Sequence, residues 1–513
     1  MNSKVISREQ RAKWTMLSSL LTQIVAIICG FVIPRLLITC FGAESYGATA
    51  SISQFLGYIS LLEGGISGVA RAALYKPLAN KDFDTTSQVL NEIKKFFRII
   101  GLVFVGYVVV IACSFKVLSH NTTFDWAFCF WLVIVISIST FAQYFIGISY
   151  SVFLLAAQKG YIISVASILT IIFNTVCIIV LANCGFNLIV VKLVSSIVFI
   201  LKPIILWMYV KRHYTFSNKS GTGTNEKILT QKWVGLGQHI AYYLHSNTDA
   251  AVLTIFGSLT LVAIYSIYNM VTSNIQNMIA SASAGMEALF GDMIAKNEYE
   301  QLKKSFSYYE TLLSYITIVL FSTTAVMIIP FVQLYTAGLT DANYIKPVFA
   351  ILLVLAAAVY CIRLPYHSIV IAAGHFKQTS VAAYGEAVIN IFFSILLVNY
   401  CGIIGVAIGT LLAVIFRYIF YAAYLTKHIL KRSIYICIMR VMFNSLNFII
   451  VYIFGKCVIN IIDCNGYLIW VLTAAIVFGI SIIVTTILNL IFFKDDCRLI
   501  YINFVKGKAM RNP

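Results

Sequence analysis

The stretch from Trp14 to Cys40 reads WTMLSSLLTQIVAIICGFVIPRLLITC. It holds 27 residues and one charge, Arg35. A helix rises about 1.5 Å per residue, so roughly 20 apolar residues cross about 30 Å of hydrocarbon. This run is long enough to span a bilayer and too long for the apolar core of a leader peptide. With a largely polar, basic segment before it, it reads as a first transmembrane helix rather than a cleaved signal.

Working outward, thirteen more stretches have the same character: 46–70, 99–117, 126–151, 161–182, 186–210, 234–256, 259–283, 312–335, 348–373, 378–398, 403–425, 441–459 and 467–493. The whole chain fits that reading. Of 513 residues 60% are hydrophobic and 11% charged, and the mean hydropathy is +0.90. A soluble domain carries about 25% charged residues, so soluble enzymes, secreted disulfide scaffolds and disordered chains are excluded. The 12 cysteines are scattered through apolar runs without metal-ligand spacing, so no metal and no cofactor is expected. The fold class is therefore an all-α polytopic membrane protein with about 14 transmembrane helices.

Lys and Arg excess marks cytoplasmic loops. With the N-terminus inside, 29 of the 37 Lys and Arg fall on the cytoplasmic side and three outside. Both termini are expected in the cytoplasm. The net charge of +18 follows from this asymmetry and needs no nucleic acid. The connector 71–98 and its repeat partner 287–307 read either as plain connectors or as inner-leaflet segments. In the second case Leu78, Phe83, Val89, Ile93 and Phe97 mark a short amphipathic helix in the first, and the basic tail 498–511 is expected at anionic headgroups.

The chain also repeats itself. Thr39, Phe41 and Gly42 recur as Thr254, Phe256 and Gly257; Tyr144, Ile146 and Tyr150 as Tyr360, Ile362 and Tyr366; Asn174 as Asn390; Cys184-Gly185 as Cys401-Gly402. The offset stays between 215 and 217 residues. Six spans per copy is an even number, so the copies enter the membrane with one polarity, a parallel repeat of the kind from which many transporters are built. Residues 1–213 form an N-lobe, 214–430 a C-lobe, and 431–513 two appended spans and a tail.

Pro34-Arg35-Leu36-Leu37 through Phe41-Gly42-Ala43-Glu44-Ser45-Tyr46-Gly47, then Ser53-Gln54-Phe55, Glu63-Gly64-Gly65-Ile66 and Arg71, resemble the opening of Wzx-type polysaccharide flippases. These belong to the multidrug/oligosaccharidyl-lipid/polysaccharide (MOP) exporter superfamily. The resemblance implies a MATE-like fold: two six-helix lobes plus two C-terminal helices. It implies transfer of an undecaprenyl-diphosphate-linked oligosaccharide, an O-antigen, lipopolysaccharide or capsule repeat unit, across the bacterial inner membrane. The expected partners are that lipid-linked substrate, the bilayer and the polysaccharide polymerase and assembly machinery.

Charges inside spans are costly and face cavities or partners. Arg35, Arg363 and Arg417 are assigned to substrate binding, because the guanidinium fork suits a diphosphate. Lys192 and Arg417, nearer the helix ends, also suit a structural pairing, and Lys202 can snorkel. Glu63, His245, Asp249 and Glu386 are assigned to coupling or gating by H+ or Na+. Tyr242, His245 and Asp249 are spaced i, i+3, i+7 and share a helix face, and His367 and Tyr366 extend the polar surface of Arg363. By the repeat, Arg35 and Asp249 occupy nearly equivalent places and are expected to pair between lobes. Lipid II flipping and MATE-type drug/cation antiport are the alternatives. A glycosyltransferase or polymerase is disfavoured, since the outer loops are short and no nucleophile–base pair stands out, so the chain is expected to be a transporter and not an enzyme.

Overall fold

The computed structural model describes residues 8–63, 66–80, 82–120, 123–214, 247–494 and 496. Among these the chain is helical and contains no strand. Eleven segments are long and apolar enough to cross a membrane, and the first, Lys13–Glu63, contains the first expected span and most of the second, 46–63. The expected span 234–256 lies partly outside the described residues. Tyr242 and His245, expected to share a helix face with Asp249, and the basic tail 498–511 also lie outside them.

The chain divides into two compact units. One comprises Met1–Tyr243 and Leu253–Ala263, the other Leu244–Val252 and Ile264–Pro513.

In the first unit, α1 (Arg8–Gly57) is two helices merged across a kink at Gly42, whose φ of 83° suits glycine. A 3₁₀ segment, Tyr58–Glu63, and α2 (Ile66–Ala79) follow. The second half of α1 approaches backbone closely: a Cβ on Gly47 would stand 1.8 Å from the carbonyl oxygen of Leu259. α3 (Phe83–Leu118) begins where Asp82 accepts the Thr85 amide at 2.9 Å, an N-cap. The Thr85 hydroxyl donates to the same carboxylate at 2.6 Å, and with the amide bond it holds the exposed Asp82 carboxyl below its ordinary range.

The apolar series expected on one short helix before span 3 is divided: Leu78 lies on α2, and Phe83, Val89, Ile93 and Phe97 lie on α3 itself, continuous with the span. Leu90, Ile93, Phe97, Ile100, Phe104, Val108, Ile111 and Phe115 form one buried stripe at helical spacing. The apolar pattern runs unbroken from the N-terminal turns of α3 into the span, so the cap at Asp82 and not the charge cluster sets the start. α4 (Trp126–Ala142), a π-helical turn (Gln143–Gly147) and α5 (Ile148–Ala156) form the next span. α6 (Gly160–Asn183) and α7 (Leu188–His213) follow.

The second copy begins with α8 (247–256), then α9 (Leu259–Ala295), α10 (Tyr299–Tyr335), α11 (Pro347–Ala372), α12 (Phe376–Cys401) and α13 (Ile403–His428). Helix ends repeat as the sequence does. Phe83 and Tyr299 open α3 and α10, Ala156 and Ala372 close α5 and α11, and His213 and His428 close α7 and α13. Where the first copy breaks at Tyr58–Glu63, the second runs straight through as α9.

α14 (Ile434–Ile461) and α15 (Tyr467–Phe492) belong to the second unit. α15 buries Thr473, Val477, Ser481, Thr485 and Asn489 at four-residue spacing. Ser481 meets Thr323 at 3.0 Å and Thr486 meets Tyr315 at 2.9 Å, both on α10. Small polar residues are the usual glue between membrane helices, because lipid offers these groups no partner. Large apolar side chains such as Leu468, Leu472, Ile483 and Ile491 remain exposed on α15, as a lipid-facing surface requires.

Candidate functional site

α12 and α13 come together because glycine lets them. A Cβ on Gly405 would lie 2.4 Å from the Leu397 carbonyl oxygen, and one on Gly409 would lie 2.4 Å from Ser394 Oγ. That approach brings short polar side chains into reach of each other across the helix pair. Glu386 and Asn390 share a face of α12 at i, i+4, and α13 presents Thr410, Arg417 and Tyr421 at i, i+7, i+11.

Glu386 is fully buried, and Arg363 and Arg417 are each 3% exposed. Arg363 Nη1 donates to Glu386 Oε1 at 2.9 Å. Arg417 Nη1 donates to the other carboxylate oxygen, and Arg417 Nη2 donates to the Tyr421 hydroxyl at 2.9 Å. Each guanidinium also lies over a ring, Arg363 over Tyr360 at 4.9 Å and Arg417 over Tyr421 at 5.1 Å. Burying a charge costs several kcal/mol unless it is paired. One carboxylate here compensates two cations, leaving the trio with one net positive charge. Arg363 and Arg417, read from sequence as separate diphosphate ligands, are thus joined through Glu386, which the sequence reading placed in the coupling set. The His367 ring stacks parallel to Tyr421, centroids 6.0 Å apart. Among the described residues, His367 Nδ1 and Arg363 Nε are buried without a hydrogen-bond partner.

Asp249 on α8 forms a second cluster. Its carboxylate accepts from Thr410 Oγ1 at 2.9 Å, Tyr265 OH at 3.2 Å and Asn390 Nδ2 at 3.3 Å. The residue is 4% exposed. Asp249, expected to pair with Arg35, is met within its own unit by three neutral donors. His245, expected beside it, lies outside the described residues.

A third cluster was not read from the sequence. Glu310 on α10 is 2% exposed. It accepts from Arg432 at 2.9 and 3.1 Å, lies 3.2 Å from Arg440 Nε, and is hydrogen-bonded by Tyr366 OH. Asp496 accepts from Arg440 at 2.9 Å and from Ser307 and Thr311. Sequence reasoning put Glu310 in a connector and Arg432 and Arg440 among cytoplasmic loop charges. The missed signal is the helical stripe Leu302, Phe306, Tyr309 and Leu313, all buried, which carries Glu310 into the packed side of α10.

In the first unit, Glu63 ends the 3₁₀ segment and accepts from the Tyr144 hydroxyl at 2.5 Å. Tyr144 sits in the π-helical turn, so the unit's two irregular stretches are joined by this bond. Mid-helix 3₁₀ and π segments often mark hinges or functional sites. Arg35, Lys192 and Lys202 are half-buried on α1 and α7. By the repeat Lys202 corresponds to Arg417, but Thr170 stands at the place of Glu386.

No protein-family model matches the chain, and no curated protein matches it. Solved structures do. One is the lipid II flippase MurJ in an inward closed conformation, 15% identical, with 94% of this chain and 99% of that chain covered and a TM-score of 0.69. Another is an inward-facing multidrug resistance MATE family transporter of the MOP superfamily. It is 15% identical, with 79% of this chain and 95% of that chain covered and a TM-score of 0.64. The chain has the fold of these MOP-superfamily transporters.

Proposed function

We propose that the chain is a flippase that moves an undecaprenyl-diphosphate-linked oligosaccharide across the bacterial inner membrane by alternating access, coupled to H+ or Na+. The observation that carries this reading is the buried Arg363–Glu386–Arg417 trio, in which cations outnumber the carboxylate inside an apolar helix bundle. Such an interior favours an anionic headgroup over a cationic drug, since guanidinium forks bond phosphate oxygens bidentately. Arg35 adds a further cation in the first unit. The extent of the structural likeness agrees with a lipid carrier: MurJ aligns with 94% of the chain and the MATE transporter with 79%.

In this reading Arg363 and Arg417 bind the diphosphate, and Asp249, with its ring of hydroxyl and amide donors, takes the coupling cation. Glu386 holds the arginines in place, and Glu63 acts at the break between α1 and α2. Both termini are cytoplasmic, residues 1–213 and 214–430 are the moving lobes, and polysaccharide polymerase is the partner that uses the product.

The test is complementation. Expression in a strain lacking its polysaccharide flippase should restore surface polysaccharide. Rescue of a strain lacking its lipid II flippase instead would assign the cargo to lipid II. Failure in both, with drug resistance conferred, would replace the reading with antiport.

A further inference from the structure

The two copies of the repeat are covered differently. α3 and α10 are equivalent at an offset of 216 residues, opening at Phe83 and Tyr299. α14 and α15 lie along α10, where Val326 packs with Val477, Tyr315 meets Thr486 and Arg440 donates to Thr311. The same side of α3 is exposed. Leu102, Val109 and Val110 are 64%, 49% and 62% exposed, whereas Ile318, Ala325 and Val326 at the equivalent places are 3%, 3% and 0%.

The side chains change with the cover. Tyr315 and Thr311 of α10 correspond to Ile99 and Lys95 of α3. Glu310, which pairs with Arg432 and Arg440, corresponds to Lys94. This side of α3 therefore lacks the hydroxyls that hold membrane helices together, and it reverses the charge that meets the arginines.

Cations gather at one end of it. Lys94 and Arg98 stand one turn apart, like charges that disfavour each other. Lys94 lies 4.8 Å from the centre of the Tyr150 ring and Arg98 5.3 Å from that of Phe145. Lys95 and Arg98 are exposed, and among the described residues no carboxylate pairs with either. Leu102, Val105 and Val109 follow Arg98 at i+4, i+7 and i+11, one stripe of the helix. The uncharged run 99–115 spans about 26 Å of helix, close to the thickness of the hydrocarbon. The cations therefore stand at headgroup level.

We propose that an anionic phospholipid binds α3 in the place that α14 and α15 take on α10, with its phosphate on Lys95 and Arg98 and an acyl chain along Leu102, Val105 and Val109. The guanidinium fork bonds phosphate oxygens, and lysine adds a point charge. The phosphate also offsets the repulsion between Lys94 and Arg98. A partner helix would need carboxylates at headgroup depth and would meet a surface without hydroxyls, whereas a phospholipid matches both the charge and the stripe. One basic residue near an anionic surface favours it by about fivefold, so two favour it on the order of tenfold. The inference holds whatever the cargo is.

The experiment uses the full chain in phosphatidylcholine nanodiscs. A photoreactive acyl chain is carried by phosphatidylglycerol in one sample and by phosphatidylcholine, at the same mole fraction, in the other. Labelled peptides are mapped by mass spectrometry and normalised to the exposed side chains of α15. The phosphatidylglycerol probe should label α3 about tenfold more than the phosphatidylcholine probe. Lys95→Gln combined with Arg98→Gln should bring the two probes level. Arg98→Lys, which keeps the charge, should keep most of the preference, and Lys304→Gln, an exposed lysine on α10, should leave it unchanged. Equal labelling of the wild type by both probes would make this an ordinary lipid-facing surface and overturn the proposal. So would a preference that survives the double substitution. Loss of the preference in inorganic phosphate, at constant ionic strength, would assign the cations to a free anion. Crosslinks from α3 to a second copy in place of lipid would assign the surface to self-association. Either result replaces the phospholipid.

Discussion

Glu386 and Asn390 stand one turn apart on α12, and each closes a different buried cluster, the first around Arg363 and Arg417, the second around Asp249. α13 mirrors the arrangement with Arg417 and Thr410. Two helices held together at Gly405 and Gly409 therefore organise most of the charge buried along α11–α13 of the second unit.

The trio makes an ordering prediction about stability. Glu386→Gln leaves two buried guanidinium groups facing each other without a carboxylate. Breaking a buried pair from one side costs about 3–5 kcal/mol. Arg417→Met leaves Arg363 and Glu386 as a neutral pair and fills the space with apolar volume, so it should cost much less. Thermal unfolding of detergent-purified protein should rank wild type above Arg417→Met above Glu386→Gln. The reverse order would show that the trio is not what compensates Glu386.

Export should separate charge from geometry at Arg363. Arg363→Ala should abolish polysaccharide export at wild-type protein levels, and Arg363→Lys should retain part of it, since lysine keeps the charge and loses the fork. The readout is surface polysaccharide normalised to membrane protein. Normal export by Arg363→Ala would remove Arg363 from the substrate site.

Topology can be checked at helix ends. Asn183 closes α6, Asn399 lies in the last turn of α12, and Asn343 lies between α10 and α11. Reporter fusions at these three should read outside, and fusions at Ser220 and Pro513 inside. An outside signal at Ser220 would overturn the orientation drawn from the Lys and Arg count.

Gly47 should tolerate no side chain. Its Cβ would stand 1.8 Å from the Leu259 backbone, a contact no rotamer can relieve. Gly47→Ala should cost about 1–3 kcal/mol or more and lower the unfolding midpoint in detergent. Gly106→Ala, with nothing within 4 Å of its Cβ, should leave that midpoint unchanged. Equal midpoints for the two variants would mean that the second half of α1 does not approach Leu259 so closely.

The sequence by itself determined the class of this protein. Apolar runs longer than a bilayer is thick allow only helices, because backbone groups in lipid must bond within their own segment. The repeat offset was equally legible, and helix ends such as Phe83 and Tyr299, or His213 and His428, follow it. Charged residues inside spans announced themselves one at a time by their cost. What the sequence could not supply was which of them share a site. Arg363, Glu386 and Arg417 are 23 and 31 residues apart in sequence, on three helices whose rotations are set by packing at Gly405, Gly409 and their neighbours. The same holds for Glu310, whose partners Arg432 and Arg440 look like loop charges until α14 packs against α10. Composition fixes how many charges must be buried, and only the rotation and depth of each helix decide which carboxylate compensates which cation.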